Sequence, residues 1–127
     1  MDTQSPTAIA EEWIRKWSKG EVPAEATEIG ASILDLDLPK KQPILCLAAI
    51  MEVLERIDAS APNNLLSVLA AGPLENLLAY SGEIIVDQIE LLARRDPRFR
   101  LLLNGVWNSR INPSVLTQVA KYRGNPW

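Results

Sequence analysis

Two carboxylates held close together can divide acid and base work between them, and three pairs in this chain are near enough in sequence to try. They are Asp35 with Asp37, Glu52 with Glu55, and Asp87 with Glu90. On a helix, partners two apart diverge and partners three apart share a face. Surface helices carry such acid pairs as solvated features, so spacing alone does not mark them as catalytic. The chain offers little to complete a site around them. It has no histidine, which removes Ser–His and Cys–His nucleophiles, histidine general bases and every His-dependent zinc site. Its 1 cysteine, Cys46, excludes thiolate zinc sites and iron–sulfur clusters. Cys46 lies in the apolar run from Ile44 to Ile50 and reads as a small buried hydrophobe. The 6 glycines are scattered, without either phosphate-cradling spacing. The expectation is a non-enzyme with no metal ligands and no cofactor.

The elements around these residues read as helices. At 127 residues, with 47% hydrophobic and 23% charged residues, the chain has the size and balance of a single globular domain, 1–127. With 1 Phe and 2 Tyr against 4 Trp, aliphatic side chains must fill the core. Proline marks the helix starts, because its missing N–H would be unbonded in the first turn anyway. Ser5-Pro6, Asp96-Pro97 and Asn112-Pro113 each place a capping oxygen just before it. Pro43 and Pro62-Asn63 open two further helices. Gly72-Pro73 reads as one helix stopping at a left-handed glycine and the next beginning.

Apolar spacing then fills in the elements. Ile9, Trp13 and Trp17 line a helix from Pro6 to Lys19, and Ala26, Ile29, Ile33 and Leu36 line one from Ala24 to Leu36. Leu47, Ile50, Met51, Leu54 and Ile57 define the surest, from Pro43 to Ile57. Short helices follow over 65–71 and from Pro73 to Gly82. The segment from Glu83 to Arg95 is apolar nearly all round, with Glu83, Asp87, Glu90 and Arg94 as one narrow polar stripe. That pattern suits a central helix flanked on both sides. Helices over 97–103 and 113–122 complete the set, the last with Val115, Leu116, Val119 and Tyr122 inward. No segment alternates with period 2. The expected fold is all-α: an irregular array of seven or eight short antiparallel helices, α-solenoid-like in shape. The prolines at 43, 62, 73, 97 and 113 follow no fixed period.

Charge is uneven along the chain. Residues 1–58 hold 11 acids and 6 bases, residues 59–93 hold 4 acids and no base, and residues 94–127 hold 1 acid and 7 bases. The arginine-rich end could neutralise acidic helices within the fold, or either end could meet a partner. The net charge of −3 disfavours nucleic acid, whose binders are basic. No secretory leader is visible and no uncharged stretch is long enough to span a bilayer, so the expected location is the cytoplasm, away from membranes.

Three stretches together resemble a family of small uncharacterised bacterial helical domains. They are Ala70-Ala71-Gly72-Pro73-Leu74-Glu75, Asp96-Pro97-Arg98-Phe99-Arg100 and Gly105-Val106-Trp107, and with Trp13 and Trp127 at the edges the likeness covers most of the chain. The resemblance implies a bacterial helical domain and carries no activity or site. Physically, Phe99 and Trp107 read as core anchors, and Glu75 as a carboxylate favoured near a helix N-terminus. Cap logic does not require two arginines, so Glu75, Arg98 and Arg100 form one candidate polar cluster. Glu83, Asp87 and Glu90 form a second candidate surface.

The expected function is a helical protein-binding module. By analogy with immunity proteins, which are small acidic bacterial proteins that occlude a toxin, it would inhibit a cognate basic toxin. The alternative is a nucleic-acid-contacting or regulatory protein using Arg94, Arg95, Arg98, Arg100 and Arg110.

Overall fold

A computed structural model of the chain describes residues 5–17, 34 and 38–123. Among these residues every regular element is helical and none is a strand, as the periodicity predicts. The elements are α1 (Pro6–Trp17), α2 (Leu38–Lys41), α3 (Pro43–Arg56), α4 (Asn64–Leu69), a π-turn (Ala70–Leu74), α5 (Glu75–Arg95), α6 (Pro97–Asn104) and α7 (Pro113–Ala120). Apart from Leu34, which is buried, the expected helix at 24–36 lies outside the described residues, as does Trp127.

The predicted starts are capped as their residue types require. Ser5 Oγ accepts from Ala8 N–H, Asn63 Oδ1 from Leu66 N–H, Asp96 Oδ1 from Arg98 N–H and Asn112 Oδ1 from Ser114 N–H. Each satisfies a donor that has no partner within the helix, an effect of about 1 kcal/mol.

The junction at Gly72-Pro73 differs from the expectation. The helix does not stop there: α4, the π-turn and α5 form one continuous rod from 64 to 95. Pro73 has no N–H to offer Leu69, and its ring would collide with that carbonyl in an α-helix. The chain accommodates it by widening, and Glu75 N–H reaches back five residues to the Ala70 carbonyl, the bond of a π-turn. The break expected near Gly82 is a kink at Ser81, whose φ of −130° and ψ of 19° leave the helical region. There Ser81 Oγ donates to the Pro39 carbonyl of α2 at 2.6 Å, inside the protein. Three expected helices are therefore one rod, and the described residues form six separate helical pieces.

This rod organises the core. α5 packs against α2, α3, α6 and α7, while α1 lies along α3. Contacts of that kind make an irregular array around one element, not a solenoid in which each unit meets only its sequence neighbours. Trp13, Ile50, Leu54, Leu77, Ile85, Ile89 and Phe99 are fully buried or nearly so, and Leu92 is half-buried at the edge. Each buried aromatic removes roughly 150–250 Å² from water, worth on the order of 4–6 kcal/mol before ordering costs. Trp107 departs from its expected role as an anchor and is 70% exposed. Beyond the end of α6 it is Val106, not its neighbour Trp107, that is buried in the core.

Candidate functional site

The expected cluster of Glu75, Arg98 and Arg100 does not assemble. Glu75, buried at the start of α5, accepts from Arg110 at 3.3 Å. Arg110 and Lys40 both stand against the Tyr80 ring, 5.5 and 4.7 Å from its centroid. Arg98 clamps two carboxylates instead: Asp96 through Nε at 3.1 Å and Nη2 at 2.9 Å, and Glu55 of α3 through Nη2 at 2.9 Å. The Arg98 hydrogen bonds, foremost that of its side chain, hold the Asp96 carboxyl below its ordinary value. Arg100 donates to the Ala93 carbonyl at 2.7 Å, closing the C-terminal end of α5. Both arginines of this segment are thus used in joining helices.

The acidic stripe is also largely engaged, because it follows the seam with α7 and the residues flanking it. Glu83 accepts from Asn112 Nδ2 at 2.7 Å, Glu90 pairs with Lys121 at 3.5 Å, and Arg94 donates to the Tyr122 hydroxyl at 3.2 Å. Asp87 is exposed and has no hydrogen-bond or ion-pair partner among the described residues. Much of the charge imbalance along the sequence is therefore consumed inside the fold, by Arg110 with Glu75, Arg98 with Glu55 and Lys121 with Glu90.

Of the three carboxylate pairs, the two that are described are not joined: Glu90 pairs with Lys121 while Asp87 stands in solvent. Glu52 bonds Arg56 and Thr7 while Glu55 bonds Arg98. Asp35 and Asp37 lie outside the described residues. Among the described residues no group of three metal-ligating side chains converges, and Cys46 is buried.

Two surface features remain. One is a depression of about 390 Å³ lined by Asn104–Ser109 and Arg123. Arg123 staples the loop there, donating to the Val106 carbonyl and to Asn108 Oδ1, and burial pushes its guanidinium below the ordinary value.

The other is an apolar groove of about 250 Å³ between α3 and α5, lined by Ile44, Leu47, Ala48, Met51, Gln88, Leu91, Leu92 and Arg95. Its rim is unusually apolar for a surface. Ile44 is 60% exposed and Leu91 47%, and Ile84, one heptad before Leu91 on the same line of α5, is 72% exposed. Asp87 stands between them, three residues after Ile84 and four before Leu91. Sequence reasoning missed this face because it read α5 as flanked on both sides. The signal was present in Ile84 and Leu91, two large aliphatics in line on a helix whose other face already holds Ile85, Val86 and Ile89.

The fold and this surface define a small all-helical domain built around one kinked rod, with an apolar groove beside it. The chain belongs to DUF6869, a family of unknown function, whose model matches residues 26–126. No curated protein and no solved structure matches the chain. No helix among the described residues is long and apolar enough to cross a membrane.

Proposed function

We propose that this chain is a non-catalytic protein-binding module that docks another protein on the face formed by α3 and α5. The observation that carries this reading is the exposure of Ile44 and Leu91 at the groove, with Ile84 exposed one heptad before Leu91 on α5. Large aliphatics left in water at adjacent positions cost hydration free energy that a partner's surface recovers, and such patches mark interaction sites. The acidic total of the chain points the proposal toward an immunity-type inhibitor of a basic toxin in a bacterial cytoplasm, and Asp87 is the acid this face offers it. The nucleic-acid reading draws less support. Arg94, Arg98, Arg100 and Arg110 already have partners within the fold, which leaves few free cations for phosphate.

The test is a photo-crosslinking residue placed at position 91 in the native host, beside a control at the exposed position 118 of α7. The expected result is a discrete protein adduct, identified by mass spectrometry, that forms at 91, is absent at 118 and is lost with Ile84→Asp. Absence of any protein adduct at 91, or equal adducts at both positions, would overturn the reading.

A further inference from the structure

We infer that the depression beyond the end of α6 is a binding site for a small aromatic carboxylate, held between the Arg123 guanidinium and the Trp107 ring. The inference starts from what Arg123 lacks. A guanidinium carries five N–H donors, and here the fold uses Nη2 on the Val106 carbonyl at 2.6 Å and Nη1 on Asn108 Oδ1. Both acceptors are neutral. No carboxylate among the described residues pairs with Arg123, whereas Arg56, Arg98 and Arg110 each meet one. Asp96, the one acid in residues 94–127, is held by Arg98.

Arg100 is also half-buried and bonded to a neutral group, but its acceptor, the Ala93 carbonyl, lies in the last turn of α5. The helix dipole is negative there and offsets the charge. The Val106 carbonyl lies past the end of α6 and belongs to no helix. Arg123 is thus a half-buried cation without a compensating charge, and burial pushes its guanidinium below the ordinary value. An anion reaching its remaining N–H groups supplies what the chain does not.

The surroundings narrow the class of anion. A volume of about 390 Å³ is within the range that small-molecule sites occupy. Arg123 is the one charged residue among the described residues lining it. One planar guanidinium fork matches a planar, singly charged carboxylate, whereas a doubly charged phosphate would be only half neutralised. Trp107 lines the same depression and turns most of its surface to water. Its flat apolar face is what an aromatic ring stacks against. A ligand that satisfies both groups carries a carboxylate on an aromatic body. The depression shares no residue with the α3–α5 groove, so the two sites stand or fall separately.

Titration of the whole chain with benzoate, followed by proton–nitrogen correlation NMR, tests the inference. The reporters are the backbone amides of residues 104–109 and the Trp107 indole N–H, the latter assigned by its loss in Trp107→Ala. The expected result is saturable shifts at these positions with a Kd on the order of 1 mM. Benzamide keeps the ring and lacks the charge, and acetate keeps the charge and lacks the ring, so each should bind at least about tenfold more weakly. These ligands remove the charge contact without replacing Arg123, which also holds the loop. Trp107→Ala, at an exposed position, should leave the remaining spectrum in place and weaken benzoate about tenfold. Shifts that do not saturate, benzamide binding as well as benzoate, or benzoate binding unchanged in Trp107→Ala would each overturn the inference. Inorganic phosphate binding more tightly than benzoate would overturn the assignment to a carboxylate.

Discussion

Gly82 of α5 lies so close to Val115 of α7 that a Cβ added to it would stand 3.0 Å from Val115 Cγ2 and 3.3 Å from Cγ1. The two helices meet through the absence of a side chain. Gly82→Ala would gain about 1 kcal/mol in helix propensity, but it must displace a buried valine at a cost of roughly 1–3 kcal/mol. The expected net effect is destabilisation of about 1 kcal/mol, measured by urea denaturation. In a Val115→Ala background the same substitution should become neutral or stabilising, and a double-mutant cycle reports that reversal.

Leu54 lies at the centre of the face that α3 turns inward and is almost wholly buried. Leu54→Ala should cost about 2–5 kcal/mol through lost burial and the cavity left behind. A loss under about 0.5 kcal/mol would be the signature of a surface site.

Ser81 donates to the Pro39 carbonyl where α2 meets the kink in α5. Ser81→Ala leaves that buried carbonyl without this donor, at an expected cost of about 1–3 kcal/mol. Ser81→Cys, a poorer donor of similar size, should fall between the two. Equal stability of all three proteins would show that the kink does not depend on this bond.

Asp96 provides a pH-dependent contribution whose sign follows from its environment. Its folded value is lowered, foremost by the Arg98 side-chain hydrogen bond, from an unfolded value of about 3.9. The stabilisation is therefore fully present above about pH 4 and disappears as pH falls through the lower, folded value. Asp96→Asn keeps the cap oxygen and removes the charge. Its stability deficit relative to the native protein, read by denaturation across a pH series, should be largest near neutrality and shrink below about pH 4.

What was legible in the sequence was what local chemistry decides. Ser5, Asn63, Asp96 and Asn112 cap the helices that follow them, because a short polar side chain beside a helix start has few other uses. The inward faces of α1 and α3 followed from spacing alone. The elements read differently are those where tertiary packing overrides a local signal. Gly72-Pro73 looks like a stop in any window of ten residues, yet continued burial of Ala70, Leu74 and Leu78 favours carrying the rod through. The four-residue α2 has too few positions to show a period. Arg98 and Arg100 looked like surplus cations because their carboxylate and carbonyl partners come from α3 and the end of α5. The groove, likewise, is defined by which side of α5 receives no neighbour, and pattern alone does not say so.

The π-turn also sets the phase of everything after it. Along the rod, buried residues recur every four positions, at Leu66, Ala70, Leu74, Leu78, Gly82 and Val86. A regular α-helix advances about 400° over four residues, so a strip with that spacing would creep about 40° per turn around the rod. Over this stretch it would wind about 200°, more than halfway round, and leave the core. One extra residue in a turn takes back about 100°, and the departure from helical geometry at Ser81 offers a second point of correction. The two irregularities thus act as gear teeth that keep a long rod in step with a core on one side. Deleting a single residue from Ala70–Leu74 would spare the helix and rotate its whole downstream half by about a quarter turn, carrying Ile89 toward water and Leu91 away from its groove.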